Sequence, residues 1–280
     1  MTTHQGRTTS LPIRRDLTLI YVLSFFITIL MAAVSIAGLL YQQVIYPSAA
    51  LLQSFLPNDV ANLLIGLPML LASMWLARHG KLIGLLFWPG ALFFVLYTYI
   101  IYVFAMPLNV AFLPYLALIM LSVYSLIGLL SSIDATEVQQ RLTSAVPERL
   151  AGGILAGLGL LFFFLVIGAI VNALISQTPI PETELALHTA DFLIAPAWVV
   201  CGVLLWRRKA FGYVAGLGLL FQASMLFIGL IIVLLIQPFL TPAPFSLVDV
   251  VVTFVMGLIC FIPFALYIRG VVSYHGSTSE

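Results

Sequence analysis

An all-α bundle of eight membrane-spanning helices is the fold class this sequence predicts, on three observations. First, 62% of the residues are hydrophobic and 8% charged, with a mean hydropathy of +1.17, whereas soluble domains are roughly half apolar and about a quarter charged. Second, the apolar residues fall into eight runs, at 17–40, 60–77, 82–105, 109–130, 151–175, 185–206, 211–236 and 248–268. Each approaches the roughly 20 residues that cross a hydrocarbon core of about 30 Å. Third, with eight spans all eleven Lys and Arg residues fall on one side, which the positive-inside rule makes cytoplasmic. A missed or invented span would scatter those charges. The expected setting is the cell membrane, with a lipid bilayer as partner and both termini inward. A net charge of +1 gives no reason to expect nucleic acid.

The elements follow in order. A polar tail, 1–16, carries Arg7, Arg14 and Arg15 ahead of the first span. That basic region, with "SIAG" at 35–38, has the outline of a signal peptide, but the apolar run exceeds the usual core of roughly 7–15 residues. The first span is therefore expected to be retained. The second follows Asp59 and ends at Arg78; the 18 residues between make about 27 Å of helix, which puts Asp59 at the outer interface as an N-terminal cap. Tyr97, Tyr99 and Tyr102 close the third span as an aromatic belt. After the fourth comes a linker, 131–149, in which Asp134 and Glu137 have capping-box spacing and Glu137 can meet Arg141 one turn on. A short amphipathic surface helix is expected there.

The second half, 150–270, mirrors the first, 17–130, as a four-helix unit, and a tail follows at 271–280. "GGILAGLGLLF" (152–162) opens the fifth span and "FGYVAGLGLLF" (211–221) the seventh. Similar offsets relate Cys201 to Cys260 and Asp191 to Asp249, so spans five–six and seven–eight read as duplicated helical hairpins. A fainter echo links Asp59, Pro68, Trp75 and Arg78 with Asp191, Pro196, Trp206 and Arg207. Such even-numbered repeats would be parallel. Gly153 with Gly157, and Gly212 with Gly216, are small-xxx-small pairs suited to close helix approach. The two cysteines lie in apolar runs and read as small buried hydrophobes.

The sixth span raises the functional question. Only 15 residues separate Asp191 from Arg207, about 22 Å of helix, too short to cross. The helix must therefore begin earlier, near Pro181 with Glu182 and Glu184, which leaves Asp191 two to three turns inside it. Glu184, His188 and Asp191 are spaced i, i+4, i+7, and Ala195, Trp198 and Gly202 continue that stripe. Ionisable groups at membrane depth cost about 2.5–3.5 kcal/mol and face bundle interiors or water-filled cavities. The alternatives are a structural His188–Asp191 hydrogen bond or a thinned bilayer. Gln222, mid-span in the seventh helix, needs a partner on another helix. Asp249, with 19 residues before Arg269 or about 28 Å, reads like Asp59 as a cap.

The chain has no phosphate-binding glycine loop, no His-Glu-x-x-His motif and no Gly-x-Ser-x-Gly elbow. No metal site and no particular cofactor is indicated. The phrases "DVANLLIGLPMLL", "SSIDATEVQQRL", "LFQASMLFIGL" and "GLICFIPFAL" resemble those of a family of uncharacterised prokaryotic polytopic membrane proteins. That resemblance runs from about residue 59 onward and implies a membrane bundle, with no activity and no site residues. The leading functional expectation is a carrier of a small solute or ion. Asp191 would be its protonatable group, His188 the partner, and Gln222, Glu184, Asp249 and Asp59 further polar contacts. The alternatives are a membrane-embedded enzyme with an outward site of Glu184, His188, Asp191 and Asp249, or a non-catalytic scaffold or sensor.

Overall fold

Apolar runs bounded by Pro, Gly and charged residues fold into helices whose backbone groups are satisfied internally, as a bilayer demands. The computed structural model describes residues 11–276, with side chains as far as Val272. Arg7 and the outer parts of both expected tails lie outside the described residues. In chain order the helices are α1 (Thr18–Leu40), a one-turn α2 (Gln42–Ile45), α3 (Ala49–Ala61), a π-helical segment (Asn62–Gly66), α4 (Leu67–Arg78), α5 (Leu82–Ala105) and α6 (Phe112–Ser132). Then follow α7 (Ala135–Leu142), α8 (Glu148–Ser176), α9 (Glu182–Trp206), α10 (Ala210–Leu240) and α11 (Leu247–Gly276). Among the described residues eight helices, counting α3 through α4 as one, are long and apolar enough to cross a membrane, and the only β feature is an isolated bridge between Ile13 and Ile133.

The second span departs most from the sequence reading. It begins at Ala49, not at residue 60, with Ser48 as its cap accepting from the Leu51 N–H at 3.2 Å. Asp59 therefore sits inside a continuous helix and caps nothing. The 18 residues between Asp59 and Arg78 suffice to cross, but the helix runs on outward for ten more, and Pro57 is interior. Lacking an N–H, it leaves the Gln53 carbonyl without its helical donor, and Gln237 Nε2 of α10 donates to that carbonyl at 3.3 Å. Pro68 has a similar effect lower down. It cannot bond the carbonyl one turn back, and the helix widens there into the π-helical segment, where the Leu67 N–H reaches back to Asn62 O.

The core gathers around α5, 78% buried over its most apolar stretch against 28–50% for the other spans. It crosses α10 at Gly90 and Gly218, where a Cβ on Gly90 would overlap the Gly218 carbonyl. The α8–α9 hairpin closes through Gly152 and Gly202; a Cβ on either would lie 2.5 Å from a backbone nitrogen of the other helix. This corrects the expected Gly153–Gly157 pair. Gly157 has nothing within 4 Å of its Cβ direction, and Gly153 meets only the Trp206 ring at 4.0 Å. Gly212 and Gly216 do pack, against Leu205 of α9.

The basic end of the bundle holds the α4–α5, α6–α8 and α9–α10 connections. The linker helix forms as expected: Asp134 caps α7 by accepting from the Thr136 and Glu137 N–H groups, and Glu137 pairs with Arg141. Residues 11–14 strap across it. Arg14 grips Asp134 with two 3.0 Å hydrogen bonds, and Asp134 N–H donates to Pro12 O at 2.8 Å. Arg14 holds the Asp134 carboxyl below the usual carboxylate range, chiefly by hydrogen bonding.

Candidate functional site in the acidic half of the bundle

At the end opposite the basic residues lies a cavity of about 540 Å³ walled by α3 with the π-helical segment, α5, α8, α9 and α10. Its lining is mostly apolar and aromatic, including Phe94, Phe162, Trp198 and Phe227, with a few polar groups set into it. That is the usual make-up of a small-molecule pocket of roughly 300–1,000 Å³. Leu187 of α9 and Leu230 of α10 both line the cavity and are both exposed, so it opens sideways between these two helices.

Local sequence explains how the polar groups arrive. Glu182 starts α9 directly after Pro181, as expected, which places Asp191 in the helix's third turn. Its carboxylate is half-buried and accepts from Tyr97 Oη of α5 at 2.8 Å. Asp191 is therefore bonded across helices to Tyr97, and not to His188 one turn away. His188 Nε2 lies 3.4 Å from Glu184 Oε1, within ion-pair range but out of line for a hydrogen bond, and that nitrogen is buried without a hydrogen-bond partner. Asn58 and Asn62 of the second span line the same cavity, and Asn62 Nδ2 is buried and unpartnered. The stretch around Asp59, expected to be a helix end, thus supplies a wall.

The expected site residues separate into three groups. Asp191 and Glu184 line the cavity. Gln222 is fully buried one layer behind it, accepting from Trp198 Nε1 at 2.9 Å, so it orients a wall residue instead of forming the wall. His188 and Asp249 do not line it: His188 pairs sideways with Glu184, and Asp249 is exposed at the start of α11, its N–H bonded to Ser246 Oγ. Asp59 also lies outside the wall, buried behind Tyr102. Among the described residues no group of three or more His, Cys, Asp and Glu side chains is placed to hold a metal ion.

Sequence reading made a belt the default role for Tyr97, with a site role as the lesser alternative, and passed over Asn58. A signal was present: Phe94, Tyr97, Thr98 and Ile101 have i, i+3, i+4, i+7 spacing on α5, and all four line the cavity. The fold and site together define a multi-pass helical membrane protein with a solute-sized, laterally open cavity in its acidic half. Comparison with protein-family models, with curated proteins and with solved structures finds no match to this chain.

Proposed function

We propose that the protein is a carrier for a small amphipathic solute bearing a positive charge, taken up in the cavity at Asp191. The observation that carries this reading is the cavity's polar inventory. Two carboxylates, Asp191 and Glu184, line it among aromatic rings, with no Lys or Arg among the described lining residues. A carboxylate with aromatic faces around it suits a lipophilic cation, which gains Coulomb attraction and cation–π contact together. Tyr97 holds one carboxylate oxygen at 2.8 Å, which leaves the other to face the solute. Asn62 offers an amide N–H from the second span, and Trp198, steadied by Gln222, supplies a ring face at the inner end. The sideways opening admits a solute from the acyl region of a bilayer.

The orientation belongs to the same reading. Arg14, Arg15, Arg78, Lys81 and the basic residues after α7 and α9 share one end, so both termini are cytoplasmic and the cavity faces outward in a cell membrane. The test uses the intact protein in lipid nanodiscs with tetraphenylphosphonium as the probe cation. Saturable binding near one per chain is expected, weakened at least about tenfold in Asp191→Asn and abolished in Gly229→Trp. Gly229 lines the cavity with nothing within 4 Å of its Cβ direction, so the larger side chain fills the space. Binding indifferent to both substitutions would refute the site. Vesicle uptake of the same cation, lost in Asp191→Asn, distinguishes a carrier from a binding protein.

A further inference from the structure

We infer that Asp59 is an occluded proton-binding site, separate from the Asp191 cavity and joined to it by the hydroxyl of Tyr102. Asp59 is 1% exposed and lies in the interior of a membrane-length helix. Its carboxylate accepts from Tyr46 Oη on one oxygen and from Tyr102 Oη, at 3.0 Å, on the other. Tyr99 and Tyr115 complete the shell, their rings 5.3 and 5.1 Å from that of Tyr102. Gly38 of α1 closes it, since a Cβ there would overlap Asp59 Oδ2 and crowd the Tyr46 hydroxyl.

Among the described residues, every element packed around this carboxylate lacks a counter-charge. On α1 the neighbour is Ser35; α2 and the π-helical segment carry no charged residue. The titratable groups facing Asp59 are Tyr46 before α3, Tyr99 and Tyr102 on α5 and Tyr115 on α6. No charged side chain occurs anywhere along α10, and Glu184, His188 and Asp191 of α9 stand on the cavity side. A buried carboxylate with no cation beside it is costly as a permanent charge. Hydroxyls are the groups that tolerate both of its states, because each can donate to the ionised form and turn to accept from the neutral one. Ser35 Oγ, Tyr99 Oη and Tyr115 Oη are buried beside it and make no in-line hydrogen bond, so these hydroxyls can turn to serve either state of the carboxyl.

Tyr102 supplies the route. It lines the cavity and donates to Asp59. A proton arriving from cavity water on the Tyr102 oxygen, as the Tyr102 O–H proton passes to Asp59 Oδ1, leaves tyrosine neutral and Asp59 as the acid. The new O–H has an acceptor ready in Phe55 O at 3.4 Å. Asn58 and Asn62 flank Asp59 on the same helix and face the cavity, so proton binding at Asp59 and solute binding in the cavity act on one helical segment. That segment includes the π-helical turn, a feature that often marks functional sites. The coupling, though not the proton site itself, rests on the carrier reading.

The experiment is pH-dependent infrared difference spectroscopy on the wild-type protein in nanodiscs, without solute. A protonated-carboxyl band is expected that survives in Asp191→Asn, disappears in Asp59→Asn and changes frequency in Tyr102→Phe, which removes one hydrogen bond to that carboxyl. A band lost only in Asp191→Asn, or no protonated carboxyl attributable to Asp59 at any pH, overturns the site. If Asp59→Asn does not fold, the Tyr102→Phe spectrum decides, and an unmoved band overturns it. Tetraphenylphosphonium binding with release of protons, abolished in Tyr102→Phe, is the coupling outcome. A titrating Asp59 with no probe binding rejects the carrier while leaving the proton site standing.

Discussion

Replacing Gly90 with alanine tests the α5–α10 crossing on which the cavity depends. An added methyl there overlaps the Gly218 carbonyl, and backbone faces it, so no flexible side chain can give way. Alanine's helix propensity returns about 1 kcal/mol over glycine, while over-packing costs about 1–3 kcal/mol or more, so the net effect is a loss of up to about 2 kcal/mol. Gly218→Ala is milder, because its Cβ would lie 3.2 Å from Gly90 N and Leu86 O, a contact relieved by a small shift. Gly229→Ala meets nothing within 4 Å and gains up to about 1 kcal/mol. Cys201 and Cys260 are the chain's two thiols, 7% and 0% exposed, so a fluorogenic thiol reagent reports unfolding directly. At one scan rate, and with about 2–4 °C per kcal/mol for chains of this size, Gly90→Ala melts several degrees below wild type. Gly218→Ala falls between it and wild type, and Gly229→Ala melts at or slightly above wild type. Gly90→Ala melting with Gly229→Ala would mean that α5 and α10 do not meet there.

The pair Tyr97–Asp191 has a coupling of about 0.6–1.7 kcal/mol, the range for hydrogen bonds between membrane helices; a double-mutant cycle of Tyr97→Phe with Asp191→Asn that closes to zero would remove it. At the basic end Glu148 accepts from Ser144 N–H at 3.1 Å and from Tyr213 Oη at 2.9 Å, with Arg208 at 3.7 Å. Glu148→Ala therefore leaves buried donors unpaired and costs about 1–3 kcal/mol, read by the same thiol assay. The Arg14–Asp134 contact sets a pH dependence. Because Arg14 holds the Asp134 carboxyl low, its contribution is intact above the unfolded value of about 4 and is lost as pH falls through the lower folded value. Limited proteolysis of the α6–α8 linker should begin only in that acid range, and Arg14→Gln should move the onset to higher pH. An onset that Arg14→Gln does not change would refute the assignment.

The span count and the sixth helix were legible because they depend on periodicity and length. Glu182 does open α9, and Asp191 does lie inside it. The linker helix was equally readable, since its cap and its Glu137–Arg141 pair are local along the chain. What stayed hidden depends on partners far apart in sequence. Asp59 looked like a cap because the 18 residues between it and Arg78 already make a membrane-length helix, and only Gln237, reaching from α10, shows how a carbonyl freed by Pro57 inside a longer helix is satisfied. Tyr102 and Tyr46 reveal themselves as donors to Asp59 only when α5 and the turn before α3 converge. Gly90 and Gly218 belong to different helices, and no spacing within either one pairs them. Small-xxx-small spacing named Gly157, which faces open space; the motif identifies candidate faces without saying which of them is covered.

The Gln237–Gln53 contact also bears on how the second span and α10 are aligned. It joins α10 to α3 by one 3.3 Å hydrogen bond, made to an acceptor that Pro57 leaves free. Contacts of this kind between membrane helices average about 0.6 kcal/mol, close to thermal energy, so this one fixes register more than it adds stability. The proline thus turns a gap in one helix's own ladder into an address that a second helix can read.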